Sequence, residues 1–346
     1  MDTLEHTTMD RWNELPWAML ERRVFKLQTR IYRASQRNDV KTVHRLQKLL
    51  TRSWLAKCLA VRKVTQDNQG KRTAGVDGVK SLTPPDRLTL VTTLKLSGQA
   101  RPIRRVWIPK PGKQEQRGLG IPVMYDRALQ SLVKLALEPE WEATFEANSY
   151  GFRPGRSCHD AMEAIFNAIA KKPKYVLDAD IAKCFDRIDH TALLTKLHTT
   201  PVLRRQVKAW LKAGVMNDGQ LFPTDEGTPQ GGPLSPLLAN VALHGMATYV
   251  AERFPAQYPT VNGKQVPVRA PILVRYADDL VVMHAELAVI QQCKAALEEW
   301  VAGMGLALQP SKTKITHTLE VYDGNVGFDF LGFTVRQYAV DRKSVV

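Results

Sequence analysis

The sequence has few cysteines, few acidic residues and no long apolar run, and each scarcity excludes a class of protein. Four cysteines in 346 residues, with no Cys-x-x-Cys pair, argue against a disulfide framework and against a cysteine-based zinc site. No stretch approaches the roughly 18 to 20 uninterrupted apolar residues that a membrane-spanning helix needs. The opening MDTLEHTTMD is acidic and polar, unlike a secretion signal. We therefore expect a cytoplasmic protein with no membrane partner.

The shortage of acidic residues leaves a net charge of +15, and most of the excess lies in one segment. Between residues 11 and 63, fourteen Lys or Arg stand against three Asp or Glu, a surplus of eleven. Leu20, Val24, Leu27 and Ile31 follow the alternating four and three step of an amphipathic helix, which leaves basic side chains on its other faces. A phosphate backbone is the favoured partner, because neutralised phosphates release counterions. A merely solvated basic helix is the alternative, and an anionic membrane surface is disfavoured.

The hydrophobic pattern predicts a mixture of helices and strands without regular alternation. Helical patterns cover about 14–37, 39–62, 124–146, 158–170, 189–199, 202–215, 234–253 and 286–303. Strand patterns cover 103–109, 175–181, 272–284 (as strand, turn and strand), 313–318 and 327–335. The basic, Gly- and Pro-punctuated stretch at 110–122 is typical of a hairpin. This order predicts an α+β fold with a mostly antiparallel sheet.

Acidic residues interrupt two of the predicted strands. The run ILVRYADDLVVM places Asp278 and Asp279 at a turn between two apolar half-strands, and the run YVLDADI carries Asp178 and Asp180. Residues two apart in a strand point to the same face, so Asp178 and Asp180 share one face. Adjacent carboxylates at the tip of a buried hairpin are electrostatically costly unless cations neutralise them. A lone Asp-Asp pair is most often an exposed loop, but the flanking apolar strands favour a functional site here.

The two acidic strands predict a magnesium site if they are neighbours in the sheet. Three carboxylates would then converge on one spot. Oxygen-only ligation suits hard Mg²⁺, and a pair of such ions about 3.5 to 4 Å apart is how polymerases hold the attacking and the leaving oxygen.

Six motifs, in order along residues 105–335, resemble the reverse transcriptases, and most closely the group II intron-encoded ones. The motifs are IPKPGKQEQRGLGIP (108–122), SYGFRPGRSCHDA (149–161), DADIAKCFDRIDH (178–190), TPQGGPLSPLLANVAL (228–243), YADD (276–279), and GLALQPSKTKI with FDFLGF near the end. The family pattern R-P-L-G-I-P here reads Arg117-Gly118-Leu119-Gly120-Ile121-Pro122, which changes local stiffness but keeps the cation. The basic segment before these motifs fits the N-terminal extension of intron-type enzymes.

The resemblance implies a right-hand polymerase architecture, with fingers and a mostly antiparallel palm sheet packed on helices. The expected divisions are a basic helical N-terminal extension at 1–65, fingers at 66–172, palm at 173–335 with interleaved motifs, and the start of a thumb at 336–346. Only thirteen residues follow FLGF, so we expect the thumb and later domains to be missing.

The resemblance assigns catalytic roles to three aspartates. Asp180 is the expected first catalytic aspartate, because Phe185, five residues on, then falls where the family keeps a bulky aromatic; Asp178 is the less favoured alternative. Asp278 is expected to bind metal, with Asp279 supporting it at the primer end. The expected metal ligands are Asp180, Asp278, Asp279 and the Ile181 carbonyl. The implied cofactor is two Mg²⁺ ions, with Mn²⁺ as a substitute.

The resemblance also implies residues that bind nucleotide, template and primer. Phe185 is expected to exclude a 2′-hydroxyl from the incoming nucleotide, with a core aromatic as the alternative. Lys312 is expected near pyrophosphate, although Lys314 is close by. The expected nucleotide-binding set is Lys110, Arg117, Phe185, Gln230 and Lys312. The expected template and primer set is Arg153, Arg156, Gly231, Gly232, Phe330, Leu331 and Gly332. For Arg153 and Arg156 a surface charge is the alternative, and for the FLGF residues core packing.

The resemblance implies an RNA-directed DNA polymerase of group II intron type, which transfers a nucleotide from a dNTP to a primer 3′-hydroxyl on an RNA template. The expected partners are an RNA template, intron RNA in the first place, a DNA or RNA primer and dNTPs, in nucleoid or ribonucleoprotein complexes. One alternative is a non-catalytic splicing cofactor that binds intron RNA. A second alternative is a reverse transcriptase recruited to a defence or CRISPR system. A third is an RNA-copying RNA polymerase, which is disfavoured because Phe185 matches the aromatic that the family uses to exclude ribonucleotides.

Overall fold

The computed structural model describes residues 11–109, 116–217, 219–228, 231–258, 260–261, 264–265 and 267–339. The α-helices of these residues are, in order, α1 (Trp17–Gln36), α2 (Val40–Arg52), α3 (Trp54–Arg62), α4 (Pro84–Thr93), α5 (Met124–Glu142), α6 (Cys158–Ile169), α7 (Cys184–Arg187), α8 (His190–Leu197), α9 (Pro201–Leu211), α10 (Ser235–Leu243), α11 (Met246–Arg253) and α12 (Leu287–Ala302). The strands are β1 (Ile103–Pro109), β2 (Gln116–Ile121), β3 (Tyr175–Asp180), β4 (Val215–Asn217), β5 (Gln220–Phe222), β6 (Thr260–Val261), β7 (Lys264–Gln265), β8 (Ile272–Tyr276), β9 (Asp279–His284), β10 (Lys314–His317), β11 (Phe328–Phe330) and β12 (Phe333–Val335). The predicted α+β class is confirmed.

The chain divides into two compact units, each built from two stretches of sequence. Unit 1 contains the described residues of Met1–Thr144 and Phe185–Val241, and unit 2 contains those of Phe145–Cys184 and Ala242–Val346. The divisions predicted at 65/66 and 172/173 concern functional subdomains and stay a prediction. No helix of the described residues is both long and apolar enough to cross a membrane.

The helical part of unit 1 is centred on α5, against which α1, α2 and α3 pack. Leu20, Val24 and Ile31 of α1 are buried, as their spacing predicts, and leave the basic residues on the outer faces. Polar contacts fix this packing, since Gln28 donates through Nε2 to the Leu135 carbonyl at 3.0 Å and Ser35 donates through Oγ to the Glu140 carbonyl at 2.9 Å. The amphipathic segment is therefore a packed part of unit 1 with a basic exterior.

The sheet of unit 1 has the strand order β2-β1-β4-β5. Strands β1 and β2 form the predicted antiparallel hairpin, in which Trp107 pairs with Gly118 and Ile108 with Arg117. Strand β4 runs parallel to β1, with Ile103 opposite Val215. The link from β1 to β2, residues 110–115, lies outside the described residues.

The main sheet of unit 2 has the order β10-β3-β9-β8, and every neighbouring pair is antiparallel. One face packs on α6, where Ile165 and Ile169 join Val176, Val274 and Val281 in the core. Helix α6 begins at a capping box formed by Ser157 and Asp160, which satisfies backbone donors at its first turn. This sheet carries both acidic runs.

The pattern-based boundaries differ from the structure at a few places. The predicted helix over 234–253 is broken between α10 and α11 at Gly245, whose φ is +91°, and the one over 39–62 is broken at Ser53. Helix α4 was not predicted, although Thr83 and Asp86 form a capping box with Pro84 at the first helical position. Strands β4 and β5 were also missed, because three-residue strands have too few positions to show alternation.

Candidate active site

Strands β8 and β9 form a tight hairpin with the acidic pair at its tip. Tyr276 pairs with Asp279, so Ala277 and Asp278 make a two-residue turn. Ala277 has a φ of +58°, a left-handed conformation that is uncommon for a residue with a side chain. The turn therefore needs support from its surroundings.

Arg275 supplies much of that support, and the sequence reasoning missed it. Its side chain is 1% exposed, and its guanidinium donates to the Ala277 carbonyl at 2.9 Å and to Ser149 Oγ at 2.6 Å. Burial lowers the pKa of Arg275 to about 10, which still leaves it charged near neutral pH. An arginine within an otherwise apolar strand was the available signal, because buried charges are rare unless they are paired.

The loop before α6 lies directly against the same turn. The Tyr150 N–H donates to the Arg275 carbonyl and the Arg275 N–H donates to the Asn148 carbonyl, both at 2.9 Å. A Cβ on Gly151 would overlap the backbone of Ala277, so glycine is required for this close approach. The loop and Arg275 together hold the acidic tip in one position.

The strand register places the expected catalytic residues next to each other. Strands β3 and β9 are neighbours, as the prediction required, and Asp180 lies directly opposite Asp279. Such cross-strand partners have Cβ atoms about 4.5 to 5.5 Å apart. The Ile181 N–H donates to the Asp278 carbonyl at 3.3 Å, which joins the turn to the end of β3. Asp178 lies opposite Val281, two residues from Asp180 on the same face of β3.

Two lysines counter the negative charge of these strands. Lys312 forms an ion pair with Asp180, and this hydrogen bond raises the pKa of Lys312. Lys314 lies 3.5 Å from Asp178 across β3 and β10. The structure thus separates the two lysines that the sequence left as alternatives, since each pairs with a different aspartate.

The environment raises the pKa of two carboxyl groups above the ordinary value for aspartate. Desolvation raises the pKa of Asp279 to about 6, and the charges of Asp278 and Asp180 add to the increase, although the side chain reaches solvent. Burial also raises the pKa of Asp178, and Lys314 partly opposes this shift. Carboxylates crowded in this way are suited to hold a cation, because a positive charge offsets both desolvation and mutual repulsion.

The donors of this site fit a hard divalent cation, because they are oxygen atoms of carboxylates on adjoining strands. Within the described parts of the chain, however, no three His, Cys, Asp or Glu side chains form a ready metal-binding cluster. The predicted convergence of three carboxylates is therefore present in the backbone register but not in the side-chain positions. Mutual repulsion of the carboxylates opposes such a cluster, and the Asp180 carboxylate contacts Lys312 instead.

Several expected nucleotide-binding and template residues belong to unit 1. Phe185 is in the short helix α7 and is 7% exposed, and Arg117 is exposed in β2. Gly231 has a φ of +124°, and a Cβ there would lie 2.7 Å from the Gly120 carbonyl oxygen. Glycine at 231 therefore permits a close approach to β2. Lys110 and Gln230 lie outside the described residues.

The first turns of α5 contain buried polar side chains that the sequence reasoning did not single out. Asp126 accepts from the Trp210 indole at 2.9 Å, and Arg127 donates to the Thr73 carbonyl at 2.6 Å. Gln130 is 4% exposed, and a Cβ on Gly232 would lie 2.5 Å from its Oε1. These residues fix the loops around α5, and polar residues at positions where a helix should be apolar were the available signal.

Arg153 and Arg156 have different surroundings, and the surface-charge alternative does not fit Arg153. Arg153 is 7% exposed and donates to the carbonyls of Glu146 and Ser149 at 3.0 and 2.7 Å, and its role as a template contact stays a prediction. These bonds hold its guanidinium within its own loop. Arg156 is exposed, and its guanidinium lies 5.6 Å from the centre of the Tyr150 ring.

The FLGF segment is the turn between β11 and β12. Leu331 and Gly332 form the two-residue turn, with φ values of +52° and +83°. Phe330 is 3% exposed within the core of unit 2, so core packing accounts for this residue. Phe333 is 39% exposed. Gly332 and Phe333 are thus the exposed part of this motif, and Leu331 is partly buried against the core.

Comparison with known proteins gives consistent relatives over most of the chain. The family model "Reverse transcriptase (RNA-dependent DNA polymerase)" matches residues 108–335, and the model "N-terminal domain of reverse transcriptase" matches residues 12–94. Protein YkfC of Escherichia coli (strain K12) is 32% identical over 326 residues, which cover 84% of this chain and 82% of YkfC.

Two further relatives are larger proteins that this chain covers in part. The group II intron-encoded protein LtrA of Lactococcus lactis subsp. cremoris is 39% identical over 155 residues, covering 44% of this chain and 26% of LtrA. Maturase-like protein 1 of Euglena gracilis is 30% identical over 244 residues, covering 66% of this chain and 50% of that protein. The chain therefore belongs to the reverse transcriptase (RNA-dependent DNA polymerase) family, in the group that includes group II intron-encoded and maturase proteins.

Proposed function

We propose that the chain adds deoxynucleotides to a primer 3′-hydroxyl on an RNA template, in the manner of group II intron reverse transcriptases. The main support is the pairing of Asp180 with Asp279 on adjacent strands, beside a turn that presents Asp278. Arg275 holds this turn through the Ala277 carbonyl, so the carboxylates are carried by a fixed backbone. A fixed backbone that carries oxygen ligands for metal ions on adjoining strands is suited to metal-dependent phosphoryl transfer.

The proposed cofactor is a pair of Mg²⁺ ions, for which Mn²⁺ can substitute. Asp180, Asp278, Asp279 and the Ile181 carbonyl would hold them. Bound divalent ions would lower the charge on the transferred phosphate and favour ionisation of the attacking hydroxyl. Lys312 precedes β10 and contacts Asp180 at the end of β3. An ammonium at this position can neutralise charge on the leaving pyrophosphate.

The proposed nucleotide selection depends on residues of unit 1. Arg117 and Lys110 would supply positive charge for the triphosphate, and Gln230 and Gly231 would contact the nucleotide and the template. Phe185 would exclude the 2′-hydroxyl of a ribonucleotide through its ring. Support for an ordered Phe185 comes from its burial and from the bond between its carbonyl and the Thr228 N–H.

The proposed template is RNA, with intron RNA the first candidate. The exposed basic faces of α1 and α2 support binding to a phosphate backbone, and both helices lie within the segment matched by the N-terminal family model. On this basis we propose that this segment is an RNA-binding extension and that the sheets of units 1 and 2 belong to fingers and palm. Among the relatives, a maturase-like protein also keeps the alternative of a splicing cofactor open to test.

Primer extension separates the polymerase from the non-catalytic cofactor. The full chain is given poly(rA), oligo(dT), dTTP and Mg²⁺, and a double variant carries Asp278→Asn and Asp279→Asn. Asp323→Asn, in an exposed turn of unit 2, is the matched control. We expect extension by the wild type and by the control, loss of extension in the double variant, and equal RNA binding by all three. Absence of extension by the wild type, with RNA binding retained, would favour the splicing cofactor.

A further inference from the structure

Two segments of unit 1 that are distant in sequence lie side by side at Gly227. The Gly227 N–H donates to the Ile188 carbonyl at 2.8 Å, and the Thr228 N–H donates to the Phe185 carbonyl at 2.5 Å. We call the paired segments 185–190 and 226–228 the Gly227 junction. Backbone bonds at both ends of the pairing mean that α7, which carries Phe185, cannot shift without moving the loop that leads to Gly231 and Gly232.

Gly227 cannot be replaced by another residue without moving this junction. Its φ is +82°, a conformation that favours glycine. A Cβ at this position would lie 2.5 Å from the carbonyl carbon and 2.6 Å from the carbonyl oxygen of Asp186. Those atoms belong to backbone and cannot rotate away, so an added methyl group must displace α7.

His190 makes the side-chain contact of the junction. It is 4% exposed, and its Nε2 lies 2.6 Å from the Gly227 carbonyl oxygen. A carbonyl oxygen can only accept, so this bond requires the hydrogen on Nε2. Nδ1 of His190 has no hydrogen-bond partner among the described residues. The orientation of this buried ring is therefore set by its bond to Gly227.

Helix α7 depends on such contacts for its position. It has four residues, Cys184–Arg187, and a single helical turn has little stability of its own. The position of the Phe185 ring therefore depends on the groups that bond to its backbone and to the paired loop, together with the packing of the buried ring itself.

We propose that His190 and Gly227 are positioning residues for the discrimination between deoxyribose and ribose. The inference rests on the proposed role of Phe185 as the aromatic that excludes the 2′-hydroxyl. Loss of the His190 bond frees the Gly227 carbonyl, loosens the pairing at Thr228 and lets Phe185 move away from the position that excludes ribose. Sugar selectivity then falls while the aspartates of unit 2 keep their own supports in Arg275 and the strand register.

The test compares incorporation of dATP and ATP opposite uridine in an RNA template with a DNA primer, measured as the ratio of the two kcat/KM values. His190→Leu removes the donor and keeps bulk. His190→Gln supplies an N–H donor again, because the amide nitrogen of Gln is as many bonds from Cα as Nε2 of His. Phe185→Ala is the reference for the aromatic itself. The matched control is His284→Leu, since His284 is also 4% exposed and its Nε2 lies 3.0 Å from the Arg269 carbonyl.

We expect His190→Leu to lower the discrimination ratio about fivefold, the effect that loss of one hydrogen bond typically has. His190→Gln should stay close to wild type, and His284→Leu should leave the ratio unchanged even if it lowers thermal stability. His190→Asn, whose amide is one bond shorter, replaces the Leu variant if that variant does not fold, with the same expectation.

The outcomes distinguish failure of the inference from failure of the proposed function. If Phe185→Ala admits ATP but the His190 variants that lack the bond retain full discrimination, the role of the junction is refuted. The same conclusion follows if His284→Leu lowers the ratio as much as His190→Leu does, because the effect is then general destabilisation. If Phe185→Ala itself leaves the ratio unchanged, the roles proposed for Phe185 and for the junction are both wrong, while incorporation of dATP still supports the polymerase. If the wild type incorporates neither nucleotide, the proposed function itself fails.

Discussion

The acidic hairpin of unit 2 and the Gly227 junction of unit 1 position their residues by different means. In unit 2, the regular register of an antiparallel sheet sets Asp180 opposite Asp279, and a buried arginine holds the turn. In unit 1, irregular backbone segments are held together by carbonyl and N–H contacts that require glycine at Gly227. A regular sheet keeps groups at fixed separations through many repeated bonds, whereas the Gly227 junction depends on single contacts that one substitution can remove. We therefore expect substitutions in unit 2 to affect the rate of chemistry and those in unit 1 to affect selectivity.

The largest effect should come from Asp180→Asn. We expect a loss of about a thousandfold or more in single-nucleotide incorporation, because an amide cannot replace a charged oxygen ligand. Asp178→Asn is the matched control, since it changes the same strand face two residues away, opposite Val281. Its loss should be less than about tenfold. A larger loss in Asp178→Asn than in Asp180→Asn would reverse the assignment of the first catalytic aspartate.

A smaller but still substantial effect is expected at Arg275. Arg275→Met removes the bonds to the Ala277 carbonyl and Ser149, and should lower the free energy of unfolding by about 2 kcal/mol in urea titration. Incorporation should fall with it because the acidic turn loses its support. Arg275→Lys keeps the charge but cannot span both acceptors, so it should be intermediate. Full activity in a stably folded Arg275→Met protein would mean that the turn does not need this support.

An intermediate effect on activity is expected from Gly231→Ala. The alanine at position 231 must adopt a positive φ, and its methyl group also meets the Gly120 carbonyl oxygen. Gly324→Ala is the control, because Gly324 has a φ of +74° but nothing within 4 Å of a Cβ. Both variants place a side chain at a positive φ, which costs about 1 kcal/mol or more, but only Gly231→Ala should raise KM for the nucleotide. Equal KM values would show that the contact with β2 is unimportant.

The smallest effect is expected at Glu140, which belongs neither to the acidic hairpin nor to the Gly227 junction. It concerns the pH dependence of the free energy of unfolding. Burial raises the pKa of Glu140, which accepts a bond from Gln47 at 2.6 Å. A raised pKa means that the folded state binds the proton more tightly, so this contribution to stability is present at low pH and is lost as pH rises through the folded pKa. Glu140→Gln lacks this titration. Its stability relative to wild type should therefore increase between pH 4 and pH 7, by less than about 1 kcal/mol. A pH-independent difference in urea midpoints would contradict the assignment.

The sequence predicted the parts of the molecule that follow from periodicity and from motif resemblance. The apolar runs around the acidic residues were enough to predict two strands, whereas their pairing was a condition that the structure supplied, and the 3.6-residue period identified the buried stripe of α1. Arg275 was missed because the pattern describes which residues are buried and not how a buried charge is paired. The break at Gly245 was missed because glycine inside an apolar helix pattern is compatible with a continuous helix.

The Gly227 junction was out of reach of the sequence for a different reason. Phe185 and Thr228 are brought together by tertiary pairing, and no local pattern in either segment records a bond between distant backbone groups. Motif resemblance identified the glycines at 231 and 232, but it did not reveal the close approach of Gly232 to Gln130 of α5. Contacts that depend on the path of the backbone can be identified only from the three-dimensional structure.

A double-mutant cycle of Asp180→Asn and Asp279→Asn tests the central claim most directly, with single-nucleotide incorporation by the full chain as the measured quantity. Residues that act together at one reacting centre give strongly non-additive losses. The account predicts that the double variant is about as slow as the slower single variant. Losses that multiply independently would contradict a shared site formed by the paired strands β3 and β9.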